Sequence, residues 1–345
     1  MPADRSEALS AARHPLRLAG GQPGLLEPGA ATDPYRLRLY RVLRTDFPLG
    51  YDPGLGAWLL SRYADVALAL TDPRFTGYPH DGASRGPLPA PLGLCRGSLV
   101  CTPLPGTAGA QFPGSAPATP TTPAAVERTA YVLAHRLAGR ARADLVGEFC
   151  RWLPAGADVV AAGLSCPDLD TPPRPGRGAG DCARHTGLRE RALASFLANM
   201  LDDPDLLAAV AGGDGSGTLP GRAWAETLRR DPPVQIVLRR TRTEVRVSGG
   251  TLPGGAPVAC LIGAAGRDPA RFTAPDRFDP LRADADPLLP GPAGCPAALL
   301  GRLEAEHGLR ALLTAMPRIR WADGFRPTSS GVLTRGPRTL LVRPS

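Results

Sequence analysis

Cys295 stands immediately before a stretch, residues 296–313, that reads as an amphipathic helix. A thiolate at a helix N-terminus is favoured by the helix dipole and is well placed to ligate iron. A free cysteine is also an ordinary small core side chain, and position alone favours that plainer role. The chain holds seven cysteines, at 95, 101, 150, 166, 182, 260 and 295, with no C-x-x-C pair and no zinc-ligand spacing. An odd, dispersed set fits a reducing compartment better than a disulfide framework. Five histidines, at 14, 80, 135, 185 and 307, lie in no nucleophile motif, so Ser/His/Asp or Cys/His catalysis is not indicated.

The elements that must position these residues are mostly helices. Asp33-Pro34 offers an N-cap followed by a first-turn proline, and Leu37, Tyr40 and Leu43 recur at helical spacing behind it. Residues 57–75 read as a short strand running into a helix that stops at Asp72-Pro73. Further helices are expected over 124–141, around 144–153 and over 188–201, where Leu188, Ala192, Leu193, Phe196, Leu197 and Met200 share one face. The helix "AWAETLRR" (223–230) stops before Asp231-Pro232-Pro233, because the residue ahead of proline disfavours the helical region. Strands around glycine turns are expected in "TEVRVSGGTLPGGAPVACLIGAAG", and short closing strands near "VLTRGPRTLLVR". Residues 81–123 and 170–187 are rich in Pro and Gly and have neither period, so they read as irregular segments, and 1–32 as a polar leader. The expected class is mainly α with minor β, in one domain over 1–345.

Composition narrows the function. With 345 residues, 43% of them hydrophobic and 21% charged, the chain can bury a large core. All 40 basic residues are arginine, and 41 Gly and 40 Pro accompany them, the mark of a GC-rich genome. The net charge of +8 is therefore no signature of nucleic-acid binding. The arginines are interspersed with Asp and Glu, and aromatic residues for base stacking amount to 5%. The N-terminus mixes acids with arginines and lacks an apolar core, which predicts no signal peptide, and no run is long enough to span a membrane. A soluble cytoplasmic protein is expected, without nucleic acid or membrane as partner.

The C-terminal part, 216–345, resembles the cytochrome P-450 (haem-thiolate) superfamily through motifs in the family's order. "AETLRRDPPVQ" holds Glu226-x-x-Arg229, similar to the family's E-x-x-R helix. "GRDPARFTAPDRFDPLR" resembles the segment whose arginine, here Arg277, pairs with that helix. "CPAALLGRLEAEHGLRALL" resembles the ligand cysteine and its helix, with Arg302 seven residues beyond Cys295, and "TRGPRTLLVR" resembles the closing strands. The resemblance implies a truncated P-450-like fold. It also implies a buried structural ion cluster of Glu226, Arg229 and Arg277, and a haem-propionate arginine at Arg240.

Other family features are missing. Where the family carries an aromatic residue, a glycine and a cation before its cysteine, this chain has Leu288, Gly291 and Ala293. The segment 101–120, where a propionate-gripping His and Arg belong, has neither residue. The acid–threonine pair of the oxygen-activating helix is replaced by "CARHTGLRE", in which Thr186 stands alone, and the helices that roof a substrate pocket have no room between Leu164 and Leu188. This pattern is most like the haem-free P-450 homologues that act as glycosyltransferase auxiliary proteins in macrolide and anthracycline biosynthesis. The resemblance thus implies a non-catalytic activator of a deoxysugar glycosyltransferase, with no catalytic residue, no cofactor and no metal. The alternatives are a haem-thiolate monooxygenase using Cys295 as proximal ligand, or a degenerate relative without a function of its own.

Overall fold

A computed structural model describes Leu25 and residues 33–77, 123–161, 186–213, 217–284, 287–288 and 296–344. The helices are α1 (Asp33–Thr45), α2 (Tyr63–Thr71), α3 (Pro123–Ala138), α4 (Trp152–Ala161), α5 (Thr186–Leu201), α6 (Pro204–Gly212), α7 (Leu219–Arg230), α8 (Ile262–Ala265) and α9 (Pro296–Ala315). A π-helical turn, Val146–Cys150, leads into α4. The expected helices therefore form, with ends shifted by a few residues. Pro123 and Thr186-Gly187, read from sequence as the tail ends of irregular segments, instead open α3 and α5, since proline is tolerated in a first helical turn. The rest of those segments, most of the leader and Cys295 lie outside the described residues.

Local chemistry explains the boundaries near the C-terminal half. Asp203 caps α6, its side chain accepting the Leu206 N–H ahead of Pro204. α7 ends at Asp231, directly before Pro232. Its inner face carries Ala223, Trp224, Glu226 and Thr227, and the Trp224 ring meets Phe196 of α5 edge-on at 5.9 Å.

Helices α3, α4, α5, α7 and α9 enclose the larger core, including Leu133, Phe149, Leu153, Phe196, Leu197 and Leu312. The second half of the fold is a five-stranded sheet. Its strands are β1 (Leu49–Asp52), β2 (Ala57–Leu60), β3 (Phe75–Gly77), β5 (Ile236–Thr241) and β8 (Pro257–Leu261), in the order β1-β2-β8-β5-β3. β2 and β8 run parallel, and the other neighbours antiparallel.

Alternation along these strands sends side chains to two separate cores. Trp58, Leu60, Val237, Val258 and Cys260 pack with Val66 and Ala69 of α2. Ala57, Leu59, Ile236, Ala259 and Leu261 pack with Leu39, Tyr40 and Leu43 of α1. The hairpin of β6 (Val245–Val247) and β7 (Gly250–Leu252) turns through Gly249 at φ +86, and the Ser248 N–H donates to Asp65 of α2 at 2.9 Å. Near the C-terminus, β12 (Leu341–Arg343) pairs with both β4 (Ala143–Asp144) and β9 (Arg320–Trp321). β10 (Ser329–Ser330) pairs with β11 (Gly336–Pro337).

Candidate functional site

Four sets of buried or partly buried ionisable groups lie on α5, α7, α9 and the sheet. The first is centred on Glu226. Its carboxylate takes the Arg229 guanidinium as a fork, Nε to Oε2 at 2.7 Å and Nη2 to Oε1 at 2.8 Å, and both side chains are fully buried. Arg229 Nη1 donates to the carbonyls of Gly266 (2.6 Å) and Pro275 (2.7 Å), and its guanidinium lies over the Phe272 ring. The backbone approach is close. A Cβ on Gly266 would stand 2.1 Å from the Arg229 carbonyl oxygen.

The third member of this cluster is not Arg277, as the sequence resemblance implied. Arg277 is exposed and enters through its main chain, its carbonyl accepting Arg229 Nη2 at 3.2 Å. The turn closed by the Arg277 N–H on the Ala274 carbonyl aims that peptide inward and leaves the side chain in solvent. Arg282, five residues on, supplies the second cation, with Nε 3.0 Å from Glu226 Oε2 and a nearly buried side chain. The Asp279 N–H completes the carboxylate's shell at 2.9 Å.

A second network follows α7. Asp231 accepts Arg230 Nε and Arg267 Nη2, each at 2.7 Å, and Asn199 Nδ2 at 3.2 Å. Burial alone would raise its carboxyl, but Arg230 and Arg267 outweigh that and hold it at about 2.

The third set joins two helices. Arg189 of α5 and Glu304 of α9 form an ion pair at 2.5 Å, with side chains 3% and 0% exposed. One helical position earlier, Leu188 packs against the sheet core.

The fourth is Arg239 on β5. It is 6% exposed and has no hydrogen-bond or ion-pair partner among the described residues; burial pushes its guanidinium down from the usual arginine value. Sequence reading pointed to its neighbour Arg240, which is half-buried and donates to the Gly255 carbonyl at 3.2 Å. Because successive strand residues face opposite ways, a one-residue difference decides which arginine lies against Cys260 and Val258.

These positions bear on whether a haem suits the chain. Arg239 suits one carboxylate of such a group, as an orphaned buried cation. The described residues supply little else. Cys150 and Cys260 are buried in the cores; burial pushes the first thiol well above its ordinary range and the second up to about 12, so neither offers a thiolate. The first turns of α5 present Leu188 and a guanidinium already committed to Glu304, and no acid–threonine pair. Among the described residues, no group of three His, Cys, Asp or Glu side chains could hold a metal ion. Cys295, Ala293, Gly291 and the segment 101–120 lie outside the described residues.

The arrangement of α5, α7 and α9 beside a mixed sheet is shared with solved haem proteins. A Streptomyces coelicolor cytochrome P450 (CYP154A1) superposes with TM-score 0.69 at 22% identity, over 93% of this chain and 99% of that one. The Tepidiphilus thermophilus P450 heme domain superposes with TM-score 0.67 at 21% identity, over 93% and 96%. The cytochrome P450 family model matches residues 223–285, the stretch that carries Glu226, Arg229 and Arg282. The chain thus has the fold of the cytochrome P450s, and its residues 223–285 match that family's model.

Among curated proteins, the chain is 47% identical over 134 residues to Protein DesVIII of Streptomyces venezuelae, which is 36% of this chain and 33% of that protein. It is 38% identical over 158 residues to cytochrome P450 107B1 of Saccharopolyspora erythraea, and 34% over 165 residues to pulcherriminic acid synthase of Bacillus subtilis. These matches span only a third to two fifths of the relatives' own length. No helix among the described residues is long and apolar enough to cross a membrane.

Proposed function

We propose that this chain is a non-catalytic auxiliary protein that binds and stabilises a deoxysugar glycosyltransferase of antibiotic (polyketide) biosynthesis. It acts in the cytoplasm, as a single-domain partner in a hetero-oligomeric complex. The observation that carries this reading is the start of α5. Here an apolar side chain, Leu188, rests on the sheet core and Arg189 is locked to Glu304, which supports a packing role for the start of this helix. Meanwhile the Glu226 cluster, which serves the fold, is fully closed. A scaffold kept intact without its chemistry is suited to presenting a surface. The 47% identity to Protein DesVIII, against 34–38% to the two enzyme-named relatives, supports the same direction.

Two measurements test it. Co-expression with its cognate glycosyltransferase is expected to give a co-eluting complex and to raise the transferase's activity or solubility. A transferase equally soluble and active alone refutes the proposal. An absorbance scan of the purified chain is expected to show no Soret band.

A second reading, a haem-thiolate monooxygenase with Cys295 as ligand, has Arg239 in its favour, because an orphaned buried guanidinium is what a haem carboxylate would meet. Bound haem would supply oxygen activation. A stoichiometric Soret band that shifts with carbon monoxide after reduction would establish this reading over the first.

A further inference from the structure

A polar cavity of about 210 Å³ lies between α1, the end of α5, the turn after α7 and the C-terminal segment that holds β10 and β11. It is on the α1 side of the sheet, away from Arg239, and none of the groups discussed for haem lines it. Its wall carries four arginines, Arg36, Arg230, Arg267 and Arg335, against two aspartates, Asp202 and Asp231. The aspartates are already engaged. Asp231 holds Arg230 and Arg267, and Asp202 accepts the Trp321 indole N–H at 2.9 Å. With Asp231 ionised down to about pH 2, the wall has a net two positive charges.

Two donors where α5 meets the end of α7 are open to a ligand. Ser195 is 5% exposed and lines the cavity, yet its hydroxyl makes no hydrogen bond with any described residue. A buried hydroxyl is ordinarily partnered. Arg230 spends Nε on Asp231 and Nη2 on Asn199, while its Nη1 has no acceptor among the described residues. Planar guanidinium donors beside a hydroxyl suit the tetrahedral oxygens of a phosphate, and the excess of arginine over carboxylate, which remains after Asp276 takes Arg267 Nη1 at 2.7 Å, favours an anion.

We propose that this cavity binds the dianionic head of a small phosphate monoester, with Ser195 and Arg230 as direct donors and Arg267 holding Arg230 and Asp231 in place.

The test uses the purified full chain and does not depend on any partner protein. Melting temperature and calorimetric titration are followed with glucose 1-phosphate, inorganic phosphate, neutral glucose and potassium chloride at matched ionic strength. The ester is expected to raise the melting temperature saturably, while glucose and chloride do not. A response to inorganic phosphate equal to that of the ester assigns the affinity to the phosphate group alone, and a weaker one adds contacts to the ester's body. Ser195→Ala is expected to weaken binding severalfold and Arg230→Gln at least tenfold, the difference between a neutral and a charged donor. If Arg230→Gln does not fold, Ser195→Ala alone decides. Equal responses to ester and chloride, or a Ser195→Ala affinity equal to wild type, would overturn the proposal.

Discussion

Arg229 and Arg239 are ten residues apart, both are buried, and their surroundings are opposite. Arg229 is enclosed: a forked carboxylate, three carbonyl oxygens and an aromatic face account for its guanidinium. Arg239 lies on a strand among Val237, Val258 and Cys260 and has no hydrogen-bond or ion-pair partner among the described residues. A buried charge is tolerated when the fold answers it, and otherwise it weakens the fold that holds it. The closed cluster therefore belongs to the architecture. The open one has no such place in it.

The contrast predicts effects of different size and sign. Glu226→Ala should be the most damaging, because it strands both Arg229 and Arg282. A loss of about 3–5 kcal/mol is expected, against a typical total of about 5–15 kcal/mol. Loss of soluble expression, or a large drop in denaturant midpoint, is the readout. An unchanged midpoint would dissolve the distinction between the two arginines.

Arg189→Leu should come next, leaving Glu304 buried without its cation at a cost approaching the same about 3–5 kcal/mol. The double variant Arg189→Leu with Glu304→Leu should recover most of that loss in urea titrations, since well-packed apolar pairs commonly replace buried ion pairs. No recovery would mean that the pair is held by neighbours the cycle does not remove.

The Asp231 network predicts a smaller, pH-dependent effect. Its carboxyl lies near 2 when folded, below the ordinary 3.8, so its contribution is complete above about pH 4 and is lost as pH falls towards 2. About 1–2 kcal/mol is expected, since the side chain remains 30% exposed. Between pH 5 and pH 2, wild type should lose that much more stability than Asp231→Asn. Parallel pH profiles would refute it.

Arg239→Leu should have the least effect and the opposite sign, from neutral to about 1 kcal/mol more stable. A clear loss in melting temperature would show that the guanidinium has a partner after all.

The pattern of legible and illegible features follows from how far each signal reaches along the chain. Helix α7 was legible because its helical stretch and the Asp231-Pro232 stop lie within about a dozen residues, although its start at Leu219 came four residues earlier than read. The pairing of Glu226 with Arg229 was legible only through the resemblance to the P-450 E-x-x-R helix, and the structure forms it one helical turn apart. The remaining cation was not. Arg277 and Arg282 sit in one irregular stretch with no period, and only the turn geometry decides which guanidinium faces inward. Arg239 and Arg240 pose the equivalent problem in a strand, where register with β8 chooses the face. The Arg189–Glu304 pair and the arginine-walled cavity join residues more than a hundred positions apart. Such sites carry no local spacing to recognise.

The parallel pairing of β2 with β8 has a consequence for synthesis on the ribosome. Leu60 must wait for Cys260, its register partner, before its strand gains that neighbour. At about 5–20 residues per second, translation of the intervening chain takes roughly 10–40 s. During that interval the β1–β2 hairpin emerges with Trp58, Leu59 and Leu60 unburied and one strand edge open. A nascent chain in that condition is a substrate for chaperones and for self-association, and slowing elongation between codons 60 and 257 should raise the aggregated fraction of newly made protein.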